Sequence, residues 1–138
     1  TAFTALTGAM ALGPKVQIAQ IEIDIAKTGT LASGDAFKIY TGEAGDVVVG
    51  GALTVVTAGT ATVDIDIGTA EDGAQIVADA DGAATAGTVV AAAAANTTNV
   101  VLGAGSVYFT NQAAPGVALA AGKFLVTLMI LKAGDFAG

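Results

Sequence analysis

Asp64 and Asp66 lie in the run Val63-Asp64-Ile65-Asp66-Ile67, where apolar and polar residues alternate strictly. On a strand, side chains two apart share a face, so this pair has the spacing of a paired-carboxylate or cation site. A plainer account uses the same spacing: the isoleucines face a core and both carboxylates face water. We expect the plainer one. A second acidic motif, Asp79-Ala80-Asp81-Gly82, matches the middle of a calcium loop, where acids at positions three and five precede the glycine at six. In that alignment position one is Val77 and position twelve is Thr88, so two strong oxygen ligands are missing. Asp79 and Asp81, with Glu71 or Asp72, are the candidates for a structural cation, and no metal or other cofactor is assigned.

Nucleophilic chemistry has less to work with. Ser33 and Ser106 are the only serines, and the chain contains no histidine, no cysteine, no tryptophan and, because its five basic residues are all lysine, no arginine. Those absent types supply most general bases, thiolates, imidazole ligands and bidentate anion clamps. No catalytic residue is assigned, and the chain is not expected to be an enzyme. Gly103-Ala104-Gly105 lacks the third glycine of a dinucleotide fingerprint and precedes a strand pattern, so it reads as a hairpin turn. Tyr40, Tyr108 and the five phenylalanines are too scattered to form a stacking platform for sugars or bases.

The elements that position these residues are short strands. A chain of 138 residues fits one domain, with 54% hydrophobic but only 5% aromatic and 12% charged residues, so the core must rest on Val, Ile and Leu. Net charge is −7, and no lysine occurs between Lys38 and Lys123, a balance that repels phosphate and argues against direct nucleic-acid binding. The opening Thr1-Ala2-Phe3-Thr4-Ala5-Leu6 has no basic or long apolar signal region, and the alanine-rich stretch Ala83 to Ala95 is too short to span a bilayer. Neither secretion nor a membrane partner is expected.

Residues 1–14 show no period and end in the turn pair Gly13-Pro14, so they read as an arm or lead-in, followed by a single domain over 15–138. Phe3, Leu6, Met10 and Leu12 are that arm's apolar anchors for ordering on a partner. Lys15 to Ala26 alternates, but its phase slips between Ile18 and Ile21, which predicts a bulge near Ala19-Gln20. Further strands are expected at Ala36 to Thr41, at Val47 to Thr57 with a bend at Gly50-Gly51, and at Ala61 to Ile67. Ala74 to Ala78 suggests one or two helical turns in an acidic excursion, and Thr88 to Ala95 reads as a strand. Val100 to Leu102, Ser106 to Thr110 and Gly116 to Leu119 complete the short strands, and Lys123 to Lys132, apolar on both faces, belongs mid-sheet. The spacing predicts an all-β protein, an antiparallel β-sandwich of jelly-roll or immunoglobulin-like topology.

The order of these features resembles the decoration, or cement, proteins of tailed-bacteriophage heads. The resembling segments are Ile21-Glu22-Ile23-Asp24-Ile25, Ser33-Gly34-Asp35-Ala36-Phe37-Lys38-Ile39, Leu53 to Thr57, Ala61 to Thr69, Gly105 to Thr110 and Ala121-Gly122-Lys123-Phe124-Leu125-Val126. The resemblance implies a β-sandwich on the outer surface of a capsid, bridging copies of the major capsid protein and stabilising the head, with no catalytic residue to carry over. A homo-oligomer or many symmetric copies is the corresponding expectation. Two other readings stand beside it: a phage tail-tube or head-fibre component, and a cation-dependent adhesin or carbohydrate-binding sandwich using Asp64 to Asp81.

Overall fold

The computed structural model describes residues 16–59, 62–91, 100–113 and 116–132. The proposed arm, residues 1–14, lies outside the described residues, as do Phe3, Leu6, Met10 and Leu12. The described residues form nine strands and one helical turn in order: β1 (Val16–Asp24), α1 (Ile25–Thr28), β2 (Ala36–Thr41), β3 (Asp46–Thr57) and β4 (Asp64–Gly68), then β5 (Val77–Asp81), β6 (Val89–Ala91), β7 (Val100–Leu102), β8 (Ser106–Asn111) and β9 (Lys123–Leu131). They make an antiparallel sandwich. One sheet runs β1-β9-β3-β6, with β7 also paired to β3, and the other runs β2-β8-β4-β5. Among the described residues no helix is long and apolar enough to cross a membrane.

The doubly apolar strand sits where its composition demands. β9 pairs with β1 on one side and β3 on the other, and its inward residues Phe124, Val126, Leu128 and Ile130 are fully buried. They face Val107, Phe109, Ile65 and Ile67 of the second sheet within one core. Phe109 stands between Phe37 and Phe124, with ring centroids at 5.3 and 6.0 Å. Among the described residues these three phenylalanines are core, whereas Tyr108 lies on the outer face beneath Lys38. The β3–β9 register shifts between Val48 and Gly50, directly before the glycine pair, and again between Val55 and Thr57.

Several expectations change in the folded chain. β1 pairs with β9 without a break from Val16↔Leu131 to Asp24↔Lys123, so there is no bulge at Ala19-Gln20. Ile21 and Ile23 point inward, whereas Val16 and Ile18 lie on the outer face against the equally apolar Leu131 and Met129. The slip in phase is a change of face. Ile25 is also buried, because the chain leaves the strand through α1, capped by Asp24 Oδ1 accepting from the Ala26 N–H at 3.1 Å.

Ala74 to Ala78 is not helical: Ile76 and Val77 are buried and the chain enters β5, paired with β4. Too short to nucleate a helix alone, this segment takes the pairing its neighbour offers. Gly103-Ala104-Gly105 is a turn but not a hairpin, since β7 belongs to one sheet and β8 to the other. Gly105 has φ of 78°, and a Cβ there would meet Gly42 O at 2.6 Å, so the crossing requires glycine. Gly116 to Leu119 forms no strand beyond the single bridge Leu31↔Leu119. Of the expected strand Thr88 to Ala95, Val89–Ala91 is strand and 92–95 lies outside the described residues.

Candidate functional site

The two outer faces of the sandwich differ in kind, and the acidic residues singled out by sequence lie on the first. The first is the outer face of the four-stranded sheet. Asp64 and Asp81 face one another across β4 and β5, and the next outward residue on β4 is Asp66. Asp66 is not solvated: it is 3% exposed, because residues 69–75 fold back over this face. The Asp72 N–H donates to Thr110 Oγ1 at 3.0 Å, next to Asp66 in register, and the Thr69 N–H donates to Gln75 Oε1 at 3.1 Å. Gly68 leaves no room for a side chain under this loop, since a Cβ would collide with the Gly73 backbone.

Asp66 Oδ1 accepts from the Asp79 N–H at 2.9 Å and from Gln112 Nε2 at 2.7 Å, and the same Gln112 nitrogen reaches Asp79 Oδ1 at 2.6 Å. Asp79 adopts φ of 54° at the register shift between β4 and β5, which aims its N–H at the carboxylate. Burial pushes the Asp66 carboxyl above its ordinary value; the two donors oppose this, and the charges of Asp79 and Asp72 add to it. Asp81, by contrast, is exposed, and its Oδ1 accepts from the Ala83 N–H at 2.9 Å. The calcium-loop alignment fails here because Val77–Asp81 is a paired strand, not a loop able to wrap an ion. Among the described residues no group of three or more acidic side chains is placed to hold a metal ion. The cluster closes a strand edge: two carboxylates share one amide donor.

The serines are likewise structural. Ser33 Oγ donates to Ala113 O at 3.0 Å, and Ser106 is buried opposite Thr41.

The second surface is the outer face of the five-stranded sheet. Val101, Val47, Leu131 and Val16 stand in one register row across β7, β3, β9 and β1, and Met129 and Ile18 stand in the next. Ile18 is 67% exposed, Val101 60% and Met129 43%. All the large apolar side chains left exposed among the described residues lie on this sheet. An apolar patch of this kind marks an interaction surface more often than a catalytic one.

This architecture has counterparts among solved structures. The chain superposes on one from the cyanophage Pam1 capsid asymmetric unit with a TM-score of 0.59 and 20% identity, covering 85% of this chain and 84% of that one. A chain from the capsid of Ralstonia phage GP4 gives 0.57 and 22%, with the same coverage. The chain shares its fold with both. No family profile matches it, and no curated protein matches it in sequence.

Three polar features escaped sequence reasoning. Asn111, fully buried in β8, donates from Nδ2 to Leu31 O at 3.1 Å and Val117 O at 2.8 Å, tying together the two segments bridged at Leu31 and Leu119. Gln112 organises the acidic edge described above. Lys132 pairs with the buried Asp46, which also accepts from the Glu43 N–H at 3.0 Å, and this contact raises the lysine pKa. In sequence Asn111 and Gln112 come directly after the expected strand Ser106 to Thr110, like ordinary turn residues, and the third pair is 86 residues apart, so nothing local signals any of them.

Proposed function

We propose that this chain is a structural protein of a phage particle, a non-enzymatic capsid decoration protein that binds the major capsid protein lattice and stabilises the head. The observation that carries the reading is the superposition over 85% of the chain on chains from two phage capsids. Strand order supports it. With β6 and β7 counted as one interrupted strand, the sheets read first-eighth-third-sixth and second-seventh-fourth-fifth, the double Greek key of a jelly roll. In an immunoglobulin sandwich the first two strands are neighbours, whereas here β1 neighbours β9. Jelly rolls serve both capsids and lectins, so the fold alone does not select the role. The acidic edge is tied up within the fold by Gln112, which favours the capsid reading over a cation-dependent adhesin.

The test is direct. Purified particles of the phage encoding this chain should contain it in a fixed ratio to the major capsid protein, with density on the shell exterior in electron microscopy. Particles lacking it should assemble and burst at lower temperature. Density in the tail, or none on the particle, would refute the assignment.

A further inference from the structure

We propose that the apolar end of the outer face of the five-stranded sheet, away from the Lys123–Glu22 and Lys123–Asp24 ion pairs at its other end, is the docking surface for the residues that precede Val16 in the same chain. The inference does not depend on the capsid reading.

The face needs a cover. Two successive rows, Val101-Val47-Leu131-Val16 and Met129-Ile18, carry no charge and leave Ile18 and Val101 mostly in water. Side chains of this size on a sheet are stabilised when an apolar partner removes them from water. The preceding segment joins the sheet at the corner of this apolar end, because Val16 ends both the edge strand β1 and the first row. Gly13-Pro14 has the sequence of a turn pair, and Phe3, Leu6, Met10 and Leu12 are spaced along the ten residues before it. Reach is sufficient. From Val16 to Val101 is three strand spacings, roughly 15 Å, which about five extended residues span. Tethering favours the same copy as the source of the segment, since a short closure costs less than recruiting a separate chain. The expected partner for Phe3, Leu6, Met10 and Leu12 therefore becomes the chain's own sheet.

The chain has no cysteine, so an introduced pair is the only thiol pair present. In the purified full chain carrying Met10→Cys and Val101→Cys, mild oxidation should form an intramolecular disulfide, seen as a monomer without free thiol. Adding Ile18→Asp at its 67% exposed position should slow that reaction at least about tenfold, since the docked state would bury a charge. Cross-linked dimers would assign the face to a second copy and overturn the proposal. So would a rate that Ile18→Asp leaves unchanged, or no disulfide at all. An independent readout guards against a misfolded double variant. Removing residues 1–12 should raise the fluorescence of a hydrophobic dye severalfold, and Ile18→Asp in that background should reverse the rise; no rise would also overturn the proposal.

Discussion

At the scale of single residues, the buried polar groups decide more than the exposed ones. Asp66 is held above its ordinary carboxylate value of 3.8, chiefly by burial. The folded chain therefore binds more protons than the unfolded one in the window from 3.8 upward, so charging Asp66 as pH rises through that window costs stability. Asp66→Asn removes that cost and keeps an Oδ1 acceptor for the Asp79 N–H and Gln112. We expect its thermal midpoint at pH 7 to rise by roughly 2 to 5 °C, and the gain to vanish below pH 3.8. A lower midpoint at pH 7 would show that the charged hydrogen bonds outweigh burial. Asn111 carries the opposite lesson, because its Nδ2 donates to two carbonyls inside the protein. Asn111→Ala should cost about 2 kcal/mol in urea unfolding, and Asn111→Asp clearly more, since a carboxylate would face those carbonyls without a donor. Equal losses would mean that packing, not the amide, holds the Leu31 and Val117 segments.

At the scale of elements, the loop over the second sheet links the turn chemistry to the buried acid. Residues 69–75 lie against β4 because Gly68 presents no side chain to Gly73, and the Asp72 N–H anchors the loop on Thr110. Gly68→Ala should destabilise the fold by about 2 to 3 kcal/mol through overpacking. The displaced loop should also let the Asp66 pKa fall back toward 3.8, measurable by NMR titration. Destabilisation without that fall would separate the loop from the burial of Asp66. Most elements were legible beforehand, for a physical reason: Val63-Asp64-Ile65-Asp66-Ile67 and the lysine-bracketed β9 carry patterns that burial on one or both faces imposes. The misreadings arose where a neighbour supplied the deciding contact. Val16 and Ile18 resemble core residues until Leu131 and Met129 show that the outer face is apolar, and Ala74 to Ala78 resembles a helix until β4 offers its edge.

At the scale of the whole molecule, the two outer faces are unlike. One is apolar at the end that exposes Ile18, Met129 and Val101 and charged at the end where Lys123 pairs with Glu22 and Asp24, while the other carries an acidic cluster roofed by its own loop. The net charge of −7 has no compensating basic patch on β4 or β5, so the chain should leave the mobility of duplex DNA unchanged at about 0.15 M salt, where nonspecific binding rests on phosphate neutralisation. A retarded band there would contradict the charge argument.

By itself the sequence determined the class of fold and most strands, because alternation follows from local geometry and the need to bury one face. It also determined that thiolate and imidazole chemistry has no residues to use, since the chain holds no cysteine and no histidine. Only the tertiary structure decided which face each apolar residue served, that Asp66 is buried, and that Asn111, Gln112 and the Asp46–Lys132 pair hold distant segments together. Those outcomes depend on partners up to 86 residues away, and no local pattern records a contact made at that separation.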